Sequence, residues 1–166
     1  MIAKSRQKRK GNSMVEFVLV GLPILFALLS IFDISLGMCT YHSMAYAVRE
    51  GVRYATVHGK GCASPHTCQV TIGQITSRIR AQGAMLPASI ATVTFTAANG
   101  SVSSGTMVSQ SANSTVWPPS GANAPGLNVN IKVSYPYRTI LTALLGGGGG
   151  SAVFNLGASS TEPIKF

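Results

Sequence analysis

The stretch GNSMVEFVLVGLPILFALLSIFD, residues 11–33, decides the architecture. From Phe17 to Phe32 it is apolar apart from Ser30, with Gly21 and Pro23 as its only punctuation. Met14 to Phe32 is 19 residues, which as helix reaches roughly 28 Å, close to the hydrocarbon thickness of a bilayer. Pro23 would break a helix in water, but a membrane helix tolerates it. Glu16 is the one charge at the entrance to the run. An acid at mid-membrane costs about 2.5–3.5 kcal/mol on insertion scales, and less near an interface. A chain that keeps it has a use for it.

Upstream lie Lys4, Arg6, Lys8, Arg9 and Lys10, with no acid among them. The formal charge is +9, from 13 basic and 4 acidic residues in 166. Most of that excess is the leader, and residues 12–166 keep eight basic against four acidic side chains. Nucleic-acid binding is disfavoured, because no aromatic residue interleaves with the basic ones to form a stacking platform. Cations just before an apolar span hold that end in the cytoplasm, which puts the chain after Asp33 in the periplasm of a bacterium. A conventional cleaved signal fits less well. The run exceeds the usual 7–15 or so apolar residues, and no small-x-small site follows it. Leu36-Gly37-Met38-Cys39 has the outline of a lipoprotein site, but Met38 is too large for the position before the cysteine.

Downstream the helix continues. No proline occurs in residues 33–57, and Tyr41, Met44, Ala45, Val48, Val52 and Ala55 recur at helical spacing on one face. Gly59-Lys60-Gly61 ends the pattern. Residues 69–82 predict a short helix with Ile72, Ile75 and Ile79 on one side, and Pro87 closes that region. Two segments then alternate with the period of a half-buried strand. In the first, Val93, Phe95 and Ala97 oppose Thr92, Thr94 and Thr96; in the second, Leu127, Val129, Ile131, Val133 and Tyr135 oppose Asn128, Asn130, Lys132 and Ser134. Residues 152–159 predict a weaker third strand. Residues 98–126 read as a long polar connection, or as one hiding an extra strand pair, with Val116-Trp117 as its buried anchor. Gly146–Gly150 reads as a flexible connector.

The expected fold class is α+β. A long N-terminal membrane-spanning helix continues into an amphipathic helix, which packs on a small antiparallel sheet head domain with one further short helix. The divisions are a basic leader (1–11), a transmembrane helix (12–32), its amphipathic continuation (33–58) and a periplasmic head (59–166).

Chemistry is sparse. The acids are Glu16, Asp33, Glu50 and Glu162, and no two are placed for acid–base work. The histidines lack a serine or acid partner for nucleophilic catalysis. His58, Cys62, His66 and Cys68 have zinc-ligand types without a known finger's spacing. The oxidising compartment favours a Cys62–Cys68 disulfide instead. Cys39 is expected as a buried small apolar residue. No catalytic residue, cofactor or metal is expected, and the chain is not expected to be an enzyme.

A basic leader, Gly11, Glu16 five residues on and a membrane-length apolar helix together resemble a type IV prepilin of the Flp (Tad) type. Ala47-Val48-Arg49-Glu50-Gly51-Val52-Arg53-Tyr54-Ala55 is similar to a segment of the TadE-like pilus assembly proteins. So is the later order of a cysteine-bounded loop, a strand ending Val133-Ser134-Tyr135-Pro136-Tyr137, and a C-terminal Ala158-Ser159-Ser160 segment. The resemblance implies a minor pilin or pseudopilin serving pilus biogenesis and adherence. It implies cutting by a prepilin peptidase between Gly11 and Asn12, and docking through Glu16. Partners would be the peptidase, other Flp/Tad pilins and pseudopilins, the inner-membrane assembly platform and the lipid bilayer, with no nucleic acid. Phe17 stands where major pilins often carry tyrosine, and the head is far larger than a major Flp pilin's. The competing reading is an uncleaved single-pass anchor presenting a periplasmic binding head.

Overall fold

The computed structural model describes residues 12–58, 69–140 and 154–165. Gly11 and the rest of the leader, Cys62, His66, Cys68 and the glycine run at 146–150 lie outside the described residues.

Helix α1, Asn12–Thr56, is a single element of 45 residues with Pro23 inside it. It meets two environments. Between Met14 and Phe32 the large apolar side chains are exposed, apart from the half-buried Phe26 and Leu29. From Met44 onward one face is lost to the head, with Met44, Ala47, Val48, Val52 and Ala55 all buried. Tyr41 was expected on that face, but it is 42% exposed.

Helix α2, Ile72–Gln82, starts at a capping box. The Gln74 backbone N–H donates to Thr71 Oγ1 at 3.3 Å, and the Thr71 N–H donates to Gln74 Oε1 at 3.0 Å. Two otherwise orphaned donors are thereby satisfied. Ile72, Ile75 and Ile79 are buried, as their spacing predicts.

The sheet has four antiparallel strands in the order β2-β1-β3-β4. They are β1 (Thr92–Thr96), β2 (Val102–Thr106), β3 (Asn128–Tyr137) and β4 (Phe154–Pro163). A short helix, α3 (Met107–Ser111), follows β2 and is capped by Thr106. The alternating residues Val93, Phe95, Val129, Ile131 and Val133 join α1 and α2 in one core cluster. Each such side chain contributes about 1.5–3 kcal/mol by leaving water. One face of the sheet is thus packed on helices, the α+β arrangement that the two periodicities predict.

Three expectations need correction. The 98–126 connection holds β2 and α3 rather than an unbroken loop or a strand pair. Trp117 is buried at 3% exposure, edge-on to Phe95 with ring centroids 5.3 Å apart, but Val116 beside it is 41% exposed. The third strand runs to Pro163 instead of ending at Ser159, because β4 pairs with β3 along ten positions. Beyond it, the Lys165 N–H donates to the Thr56 carbonyl at 3.0 Å and ties the chain's end to the end of α1.

Candidate functional site

The residues singled out in the sequence fall in separate places. Glu16 is exposed in the second turn of α1. Arg49 and Arg53 are exposed and Glu50 is half-buried in its last turns. Between them Gly51 is buried against α2. A methyl group there would come within 2.5 Å of Ile79 Cγ1, so α1 and α2 approach as closely as they do only because Gly51 has no side chain. His58 points its Nδ1 at the Tyr54 carbonyl, 2.6 Å away, which uses that nitrogen as a donor. It is the only member of the considered zinc set that is described, and no metal-holding cluster exists among the described residues. Cys39 corrects its expectation: it is exposed on α1, outside the core.

The best-built polar centre is one whose role the sequence did not signal. Asp33 reads there as a boundary acid, yet it is only 5% exposed. The Tyr137 hydroxyl lies 3.2 Å from Asp33 Oδ1 and 3.1 Å from the Asp33 carbonyl oxygen. The Ile140 N–H donates to the same Oδ1 at 3.1 Å. A buried carboxylate is tolerable only with such donors. The contact joins the exit of the apolar span to the far end of β3, over 104 residues of sequence. Burial pushes the Tyr137 hydroxyl above the usual tyrosine range, and the Asp33 charge and hydrogen bond push the same way. Tyr137 therefore stays a donor.

Beside this contact a groove of about 530 Å³ opens between α1 and the paired ends of β3 and β4. Ile34, Gly37, Met38, Tyr41, Phe154 and Leu156 line it. Its exposed walls are almost wholly apolar, so it suits hydrocarbon.

Residues 11–53 match the family model for TadE-like protein. No curated protein and no solved structure matches the chain. The TadE-like segment begins at Gly11, contains Glu16 and the whole apolar run, and closes at Arg53. It covers nearly all of α1 and none of the sheet. The likeness of the later strand and C-terminal segment thus lies outside the match. The match is consistent with a component associated with a Tad pilus. The helix in it is long and apolar enough to cross a membrane, with 6% of its most apolar window buried, and is compatible with single-pass anchoring.

Proposed function

We propose that this chain is a minor pilin-like structural component, a pseudopilin, of a Flp/Tad-type pilus. In this reading it is non-enzymatic. A prepilin peptidase cuts it between Gly11 and Asn12, its N-terminus is cytoplasmic and its head periplasmic. It docks through α1 with other pilins and the inner-membrane assembly platform, and it serves pilus biogenesis and adherence. What supports this most is a TadE-like match that starts at Gly11 and spans an apolar helix left exposed by the head.

Peptidases that act on a glycine need close backbone approach, so Gly11→Leu should abolish cleavage. Intact mass of membrane-extracted protein is the test. Wild type should lack residues 1–11, and the same spectrum reads a Cys62–Cys68 bridge as loss of the two thiol hydrogens. Wild-type protein that keeps Met1 to Gly11 in peptidase-positive cells favours the uncleaved anchor with a binding head.

After cleavage Asn12 would carry a new ammonium, and Glu16 lies four residues on, near the same helix face. Its carboxylate would pair with its own or a neighbouring subunit's N-terminus. Coulomb attraction in low dielectric is large, but desolvation offsets much of it, so the pair sets register more than stability. Glu16→Gln should be processed and inserted normally yet give fewer pili and fewer crosslinks to other pilins. Wild-type pilus numbers and crosslinks in that variant rule the docking role out.

A further inference from the structure

Asp33 ends the apolar run in the sequence, yet in the fold it shows almost nothing to its surroundings, at 5% exposure. Its carboxylate is turned inward to Tyr137 and Ile140. Past it an exposed apolar stripe continues along α1: Ile34 is 65% exposed and Met38 59%, one turn apart, with Tyr41 following. Tyrosine at such a place suits the interface between hydrocarbon and water. Phe17 to Met38 is 22 residues, roughly 33 Å of helix, against about 30 Å of hydrocarbon. That frame leaves Glu16 at the opposite interface, whereas a span from Met14 to Phe32 buries it. The shift thus relieves Glu16, while Asp33, now within the span, is held by the Tyr137 hydroxyl and the Ile140 N–H.

The same shift carries the groove down to the bilayer. Phe154, 58% exposed, and Leu156 stand against Met38 across it, and Tyr41 and Tyr137 line it as well. Arg138, exposed next to Tyr137 just past β3, is a cation whose long side chain can reach a lipid phosphate. We propose that the membrane surface on the head side lies at Met38–Tyr41, and that the groove between α1 and the β3–β4 end holds the acyl chain of a bilayer phospholipid. The occupant is lipid because the groove's exposed lining is almost wholly apolar, carries the aromatic rings of Tyr41, Tyr137 and Phe154, and runs on from the exposed apolar surface of α1. This inference rests on the membrane-anchored reading of α1, and on no other part of the proposed function.

The full chain would be reconstituted in vesicles of phosphatidylethanolamine and phosphatidylglycerol. These would contain a phospholipid bearing a photoreactive diazirine in the upper part of one acyl chain. Crosslinked residues are mapped by peptide mass spectrometry. Adducts are expected on residues 17–32, on Ile34 and Met38, and on Phe154 and Leu156. Gly37→Leu fills the groove and should cut the Phe154 and Leu156 adducts about tenfold, the effect of displacing roughly two methylenes of lipid. Adducts on 17–32 should not change. Gly37→Ala should behave as wild type, since its methyl would rest 3.6 Å from the Tyr137 ring, an ordinary contact. Emission of Trp117 reports whether the head stays folded. Lipid adducts confined to 17–32 overturn the groove and leave the anchor standing. Protein crosslinks joining Met38 or Phe154 to a second copy of α1, in place of lipid adducts, overturn it too. Absence of lipid adducts on 17–32 overturns the anchor and the groove together.

Discussion

The two halves of α1 share one continuous helix and almost nothing else. In the lower half Gly21 has open space around it, whereas in the upper half Gly51 sits with Ile79 pressed against it. Met14, Phe17, Leu19 and Ile31 are exposed; Met44, Val48 and Val52 are sealed. Both halves carry large apolar side chains, so their presence alone does not decide which half builds the core. What decides it is whether other elements of the chain reach that level: Ile79 of α2 packs on Gly51, and Tyr137 of β3 meets α1 at Asp33. The lower half keeps its apolar surface for a different solvent or for other helices, as membrane spans do.

The largest test of this division removes a core side chain from the head. Phe95 is fully buried and meets Trp117 edge-on. Phe95→Ala should cost about 3–5 kcal/mol through lost burial and the cavity left behind. Trp117 is the chain's single tryptophan, so denaturant unfolding followed by its emission reads the head alone. Membrane extraction of the lower half should not change. If the variant leaves the membrane in mild salt washes, the two halves are not independent.

The glycine pair sharpens the comparison within one helix. Gly51→Ala drives a methyl into Ile79 and should destabilise the head by about 1–3 kcal/mol, the usual range for overpacking. Gly21→Ala meets nothing and should leave the head's midpoint where it is. Equal shifts for both variants would mean that α1 does not pack on α2 through Gly51.

How much of this was legible follows from the same contrast. Periodicity exposed α1, α2, β1 and β3, because each of them buries one regular face. It was silent on β2, whose Val102 is exposed and whose other residues are serine, glycine and threonine. A turn signal was nonetheless present. Two residues separate Asn99-Gly100 from the end of β1, Gly100 takes φ +80°, and the Ser101 N–H donates to Asn99 Oδ1 at 3.0 Å. Such a pair after an alternating run marks a hairpin. Cys39 misled for the opposite reason: cysteine is usually buried, but this one is on the exposed side of α1, although Asp33 and Thr40 before and after it are buried. Asp33 was legible as a charge and not as a contact, because its partners Tyr137 and Ile140 are more than a hundred residues away and no local pattern announces them.

That contact is where the halves meet, and it yields the smallest expected effect. Tyr137→Phe removes one donor from Asp33 and leaves the Ile140 N–H in place, so the loss should be about 1 kcal/mol. Its pH dependence separates it from a packing defect. Because the folded environment raises the Tyr137 pKa, the folded chain holds this proton more tightly than the unfolded one. The stabilisation is then fully present below the ordinary tyrosine range, near pH 10, and is lost as pH rises through the higher folded value. Wild type should therefore outlast Tyr137→Phe in denaturant at neutral pH, and the gap should close above about pH 10. Other tyrosines titrate in both proteins and cancel in the difference. A gap that stays constant to the alkaline limit would show that the hydroxyl does not hold the helix to the sheet through Asp33.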